Sequence, residues 1–384
     1  MKKLLSVFLA IALLGTFGLA GCKSTDVTSS ADESLDDMSS EVPSADNTSS
    51  DDKSEDAQNE FDLAVDLTTV KRGINLSALE DPYKYSDFMF MEFTYTNIAE
   101  KGFDHIRMPI DFRNYADEKG NLDDEKMKGV DEAIRMANEA GLVVFLDFHG
   151  WYNFIALKDK GLFEKIWTNV AKRYKDYEHN DMLIFELINE PHINEGGDLG
   201  MANLVFVQCL TANAIREISP NRTICFATVE WNGPWSLEAG IENSYRDTPM
   251  MNYDNVIVAL HCYSTIEFTH QNMAWNNTLG QFKKLDDTVL NDLRAQLKFL
   301  VDFTTETGMP VILNEFGFNT DPNTIPYEDQ ARYVETLVDI LDEHDIAWTW
   351  WEYCIGEFAI YKRTGYSYSG EYAWNDAIVE AMMK

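Results

Sequence analysis

The sequence predicts an α/β protein, a single (β/α)8 TIM barrel, on three observations. From residue 61 onward, eight short apolar runs alternate with longer amphipathic stretches. Most runs are apolar throughout, as parallel strands are when helices cover both faces of their sheet. Their starts recur at intervals of about 30–55 residues, the rhythm of βα units. The structural rival, a doubly wound open sheet, rarely reaches eight strands and usually opens on a Gly-rich turn. No G-x-G-x-x-G occurs here.

Two segments precede the barrel. Residues 1–22 read as a targeting segment: Lys2 and Lys3 lead an apolar run from Leu4 to Leu19, too short for a comfortable membrane span. The run ends in Leu19-Ala20-Gly21-Cys22, which resembles the lipobox of bacterial lipoproteins, so Cys22 is expected to carry a lipid. Residues 23–60 hold no aromatic residue and carry 12 acids against Lys23 and Lys53. Self-repulsion and missing apolar surface make them a disordered acidic Ser/Asp-rich tether. The catalytic module is expected to span 61–384.

Strand by strand, the runs are Gly73–Leu76, His105–Pro109, Leu142–Phe148, Met182–Ile188, Thr223–Ala227, Val256–Leu260, Pro310–Asn314 and Ala347–Trp351. Helical stretches between them include Asp123–Ala140, Leu162–Tyr174, Leu199–Ile218, Asp286–Thr307 and Tyr327–His344. In such a barrel the active site lies at the C-terminal ends of the strands. Those ends read, in order, Asn75-Leu76-Ser77, Arg107, Asp147-Phe148-His149, Asn189-Glu190-Pro191, Glu230-Trp231, His261-Cys262-Tyr263, Asn314-Glu315-Phe316-Gly317 and Trp350-Trp351-Glu352. Carboxylic acids, imidazoles, a guanidinium, amides and indoles converge on one face. A merely structural barrel has no need of that.

Two Glu residues on opposite strands suit glycoside hydrolysis, one protonating the leaving oxygen while the other attacks or activates water. Aromatic faces suit sugar rings. The chain carries 65 acids against 31 bases, net −34, and no basic cluster, which excludes nucleic acid as partner and disfavours anionic polymers and membrane surfaces. A neutral β-linked polysaccharide remains. Nothing in the residues asks for a metal or an organic cofactor.

Over residues 65–384 the sequence resembles glycoside hydrolase family 5, a family of retaining barrel endoglucanases and mannanases. The resemblance rests on Arg72-Gly73-Ile74-Asn75, His105-Ile106-Arg107-Met108-Pro109, Phe185-Glu186-Leu187-Ile188-Asn189-Glu190-Pro191, His261-Cys262-Tyr263, Ile312-Leu313-Asn314-Glu315-Phe316-Gly317 and Trp351-Glu352-Tyr353. Glu267-Phe268-Thr269-His270-Gln271 further resembles a branch containing endoglucanases that also accept mannan. The resemblance implies Glu190 as acid/base and Glu315 as nucleophile, with Arg107 holding Glu315 ionised. It implies Asn189 on the sugar 2-hydroxyl, Tyr263 on Glu315, and His261 positioning Glu190 or Tyr263. His149 and Trp351 would bind the sugar beside the scissile bond, Trp351 being chosen over the adjacent Trp350 by motif. Asn75, Glu80, Trp231, His270 and Trp275 complete the expected substrate contacts. One departure is His149-Gly150, where many relatives have two histidines; the missing imidazole bears on sugar contacts and substrate preference rather than on the reaction.

Each residue has a plainer reading. Arg107 could pair with Glu186 inside the barrel, and both roles can hold together. Glu186 reads as structural, and Asp111, Asp147 and Glu352 as structural or supporting groups. Cys209, Cys225, Cys262 and Cys354 are widely spaced and read most simply as buried free thiols, with a Cys225–Cys262 disulfide as the alternative. A metal-dependent hydrolase would need a His-x-His on the first strand, where Asn75-Leu76-Ser77 stands; an inactive glycan-binding barrel would lack one Glu. The expectation is therefore an endo-β-1,4-glucanase acting on cellulose or mixed-linkage β-glucan, with β-mannan as runner-up. It is expected to be a monomer, extracytoplasmic, at the cell surface or secreted, and held to a membrane only through the lipid on Cys22.

Overall fold

Eight apolar runs become eight strands because each receives a neighbour on either side and a covering outside. The computed structural model describes residues 62–79, 91–150, 159–191, 201–238, 248–363 and 371–384; the expected targeting segment and tether, residues 1–60, lie outside them. Strands β1 (Arg72–Asn75), β2 (His105–Ile110), β3 (Val143–Phe148), β4 (Leu183–Glu186), β5 (Ile224–Ala227), β6 (Val256–His261), β7 (Val311–Phe316) and β8 (Ala347–Trp350) pair in parallel. They close into a barrel, with β8 returning to β1.

Among the described residues the helices are α1 (Glu92–Glu100), α2 (Asp124–Glu139), α3 (Lys160–Tyr174), α4 (Met201–Arg216), short α5 (Val229–Asn232) and α6 (Ile266–Thr269), then α7 (Asp287–Thr307), α8 (Tyr327–Glu343) and α9 (Asp376–Met382). Their ends follow local chemistry. The Asp123 carboxylate caps α2 by accepting from the amides of Glu125 and Lys126, and Asp286 caps α7 through the Val289 amide. Gly308, at φ 71°, ends α7 in the left-handed conformation that glycine adopts without strain. Met127, Val130, Ala133, Ile134 and Ala137 form the buried stripe of α2, at helical spacing.

Inside the barrel, alternate residues point to the lumen. Val143, Phe145, Ile184, Cys225, Ile257, Ala259, Ile312 and Ala347 form its apolar floor, with Val65 and Val70 packed against them. Gly73 belongs to this level because His105 crosses it; a Cβ there would sit 2.0 Å from the imidazole Nε2. Higher along the same strands come Asn75, Arg107, Asp147, Glu186 and Asn314, all fully buried. The floor is thus oil and the storey above it charge.

β7 breaks the alternation. Leu260 of β6 faces Leu313, but the next residue, His261, faces Glu315. On the other side, Leu313 faces Trp348 and Phe316 faces Trp350. One extra residue in β7 lets Asn314 and Glu315 both reach the lumen, the effect of a β-bulge.

Several elements differ from the sequence reading. Leu187 and Ile188, expected in the fourth strand, lie beyond its ladder, and the seventh strand runs on to Phe316. Among the described residues no long helix follows β5; α5 and two 3-10 turns stand there instead. The pattern also passed over an antiparallel pair, β9 (Tyr361–Arg363) with β10 (Tyr372–Trp374), and α9 after it. Both are too short to show a period. All four described cysteines are free, so the Cys225–Cys262 disulfide is not formed; Cys209 and Cys354 are half-buried rather than buried. No helix among the described residues is long and apolar enough to cross a membrane.

Candidate active site

The site is organised around Arg107, which β2 delivers to the middle of the lumen. Its Nε and Nη2 donate to the two oxygens of Glu186 at 2.8 Å each, and Nη1 donates to Glu315 Oε1 at 2.6 Å. Nη1 also reaches Asn75 Oδ1 at 3.0 Å, and Nη2 reaches Asn189 Oδ1 and Asp147 Oδ2 at 2.8 and 2.9 Å. Burial alone would lower the guanidinium's pKa; the charges of Asp147, Glu186 and Glu315 outweigh it and raise it well above its ordinary value. For Glu186 burial wins over the same guanidinium and the pKa is raised. Asn314 adds a hydrogen bond to Glu186 at 2.9 Å.

Glu315 and Glu190 receive opposite surroundings. Glu315 is 5% exposed, paired with Arg107, and accepts a hydrogen bond from the Tyr263 hydroxyl at 2.9 Å. Burial, then the charges of Glu315 and Glu190, push the Tyr263 pKa well up, so the phenol remains a donor. Glu190 is 27% exposed and meets His261 Nδ1 at 2.7 Å. Burial lowers the His261 pKa to about 4, so this imidazole is neutral at neutral pH. Donor atoms of Glu190, His261 and Glu315 all lie within 4.8 Å of one another. Three such ligands could hold a metal ion by distance, but each already has a protein partner suited to a proton-transfer pair.

Around this pair the rim supplies sugar-sized surfaces. The His149 ring stacks on Trp351 at 5.6 Å and 13°, and its Nδ1 pairs with Asp147 Oδ2 at 2.8 Å. Trp350 is fully buried; its indole donates to the Phe358 carbonyl, and it packs edge-on against Phe316 and Phe318. Trp231 and Trp275 are 49% and 59% exposed. His270 is buried edge-on against Tyr263 and Trp275, and burial lowers its pKa to about 4. Gly150 borders Arg113, whose guanidinium Asp111 grips at 2.7 and 2.5 Å.

The structure gathers Arg107, His149, Asn189, Glu190, His261, Tyr263, Glu315 and Trp351 at the predicted end of the barrel. Asn75 corrects the sequence reading. It is fully buried, and its amide donates to the carbonyls of Asn314 and Trp350 while accepting from Arg107, so it holds the guanidinium rather than substrate. Glu80 lies outside the described residues, as does Cys22. Asp147, read as a structural or supporting group, is one: it ties Arg107 to His149. Its place two residues before a strand-end histidine was the available signal.

Glu352 is also buried, accepting from the Ser77 hydroxyl at 2.6 Å and from the Ile355 amide. Burial raises its pKa to about 7 from 4.5. A folded pKa raised above the unfolded one means that the native state holds a proton the unfolded chain has lost between pH 4.5 and 7. Stability from this group is therefore present at the acid end and declines as pH rises through that window. Relative to Glu352→Gln, the wild type should lose about 3 kcal/mol between pH 4.5 and 7.5 in urea titrations. A pH-independent difference would refute the assignment.

Closely spaced carboxylates with divided partners, at the mouth of a (β/α)8 barrel, define the class of barrel glycosidases. The family model described as cellulase (glycosyl hydrolase family 5) matches residues 69–357, and the chain belongs to that family. It is 27% identical over 345 residues to Endoglucanase C of Acetivibrio thermocellus, covering 77% of this chain and 94% of that one. Cellodextrinase A of Ruminococcus flavefaciens is 24% identical over 296 residues, covering 72% and 83%. Endoglucanase Cel5A of Thermotoga maritima superposes with a TM-score of 0.68 at 27% identity, covering 82% of this chain and 98% of that structure. Structures of Cel5A hold cellobiose or mannotriose.

Proposed function

We propose that the chain is a retaining endo-β-1,4-glucanase, with Glu315 as nucleophile and Glu190 as acid/base. The observation that carries this is the close approach of Glu190 and Glu315 with unlike partners, a guanidinium on one and a neutral imidazole on the other. Carboxyl groups of retaining enzymes stand about 5–5.5 Å apart, too close for a water beneath the sugar. The Glu315 oxygen bonds the anomeric carbon as the glycosidic bond breaks, and the leaving oxygen takes the proton of Glu190. Water then attacks the glycosyl-enzyme while Glu190 takes back a proton. Arg107 and Tyr263 hold Glu315, Asn189 bonds the 2-hydroxyl, His149 and Trp351 carry the neighbouring sugar, and Trp231, His270 and Trp275 line the longer chain. The named relatives favour β-glucan over β-mannan.

Product profiles on carboxymethylcellulose, lichenan and mannan, with NMR of the first product, test this reading. Glucan cleavage with an initial β-anomer is expected; an initial α-anomer, or activity on mannan alone, would defeat it.

The segment before the barrel suits a lipoprotein worn outside the cytoplasm, tethered through Cys22, with a monomeric module working at the end of residues 23–60. Palmitate labelling should vanish in Cys22→Ser, and a chain starting near Glu60 should keep its specific activity. Persistent labelling would refute the anchor, and lost activity the passive tether.

A further inference from the structure

β5 ends in a strained turn. Trp231 and Asn232 both take positive φ, 57° and 55°, a conformation unusual for tryptophan. The turn has two products: it leaves the Trp231 indole half exposed and drives the Asn232 side chain fully inside. Strain of this kind persists where surrounding structure demands it, and functional sites are where it collects. What it delivers here is an amide 3.3 Å from His261 Nε2, the ring nitrogen turned away from Glu190.

A neutral imidazole has one donor and one acceptor nitrogen, so the partner of Nε2 decides what Nδ1 offers Glu190. Before it transfers its proton, Glu190 carries an O–H, and Nδ1 at 2.7 Å is placed to accept it. Nε2 must then carry the hydrogen and needs an acceptor. With its nitrogen toward the ring, the Asn232 amide leaves Oδ1 buried without a hydrogen-bond partner. Amide oxygen and nitrogen are alike in shape, and turning the group end for end puts the acceptor on Nε2–H, with the amide nitrogen then taking the unpartnered place. Other charged and titratable groups near the ring are Glu315, 3.4 Å from Nδ1, and Arg107, Glu186 and His149. None of them hydrogen-bonds Nε2.

We propose that Asn232 is a positioning residue for the acid/base: its amide oxygen holds His261 as the Nε2–H tautomer, so that Nδ1 accepts a hydrogen bond from protonated Glu190 and keeps its carboxyl in place until the leaving oxygen takes the proton. This rests on Glu190 being the acid. The residue touches neither substrate nor reacting atoms, and its effect passes through the imidazole.

Two measurements decide it. Histidine-labelled enzyme at an active pH, with His261 assigned by its loss in His261→Gln, should show Nε2 protonated and Nδ1 bare in 15N NMR; the reverse overturns the proposal even if no variant folds. Asn232→Gly keeps the positive φ and removes the amide. It should lose about 10–100-fold in kcat/KM on glucan, whose leaving group needs acid help, and under about threefold on an aryl cellobioside with a good leaving group. Equal losses on both, or none on glucan, would overturn it. Glu190→Ala run in parallel separates the two failures. If it shows the leaving-group split and Asn232→Gly does not, the positioning role alone falls; if it shows none, the assignment of Glu190 falls.

Discussion

Glu315→Ala should abolish turnover on every substrate, by at least about 10⁴-fold in kcat, since no other group can form the covalent intermediate. Glu190→Ala should act unevenly. Glucan and other substrates with poor leaving groups should lose nearly all activity, while activated aryl glycosides should still glycosylate Glu315. Their intermediate then waits for a nucleophile that needs no base, and azide should release it as a β-glycosyl azide. The two acids are thereby told apart by product rather than by rate. Azide rescue giving that β-product in Glu315→Ala, and none in Glu190→Ala, would reverse the assignment.

The second large effect is on stability. Arg107 is the cation that Asp147, Glu186 and Glu315 share in a buried lumen. Removing one partner of a buried ion pair leaves an uncompensated charge and costs about 3–5 kcal/mol; here three partners are orphaned at once. Arg107→Met should therefore unfold at far lower urea than the wild type, if it accumulates at all. Arg107→Lys restores the charge but not the fork. An ammonium has three donors and cannot serve both oxygens of Glu186 together with Asn75, Asn189 and Glu315. It should regain part of the stability and little of kcat. A Met variant within 1 kcal/mol of the wild type would show that the lumen tolerates the bare carboxylates.

Much of this was legible in the chain. Strand ends could be found because continuous apolar runs mark buried parallel strands, and the barrel rule converts each end into a site position. Glu190, Glu315, Arg107 and His149 were located that way. Chemistry hidden within a run was not legible. The spacing of Asp147 and His149 puts both on one face of the strand, but it does not show that a guanidinium across the lumen completes the chain. Asn75 was misread because a strand-end amide looks the same whether it faces sugar or Arg107. Trp350 and Trp351 could be ranked only by resemblance, since adjacent indoles are interchangeable in composition and opposite in direction. The segment after β5 defeated the periodic reading because α5 is a single turn, made of residues whose backbone signs no propensity foretells.

The added residue in β7 sets more than one side chain. A strand keeps a two-beat phase, and this one slips half a cycle at Asn314. Below the slip, Ile312 belongs to the lumen and Leu313 to the helical shell. Above it, Glu315 takes the lumen and Phe316 the shell, edge-on to Trp348 and Trp350. Gly317 keeps the new phase and lies so near β8 that an added Cβ would stand 2.4 Å from the Trp351 carbonyl. Glu315 and the backbone bearing Trp351 are seated by the same offset. Were the strand to keep Asn314 and lose the slip, strict alternation would turn Glu315 toward the helices and bring Phe316 into a lumen full of charge.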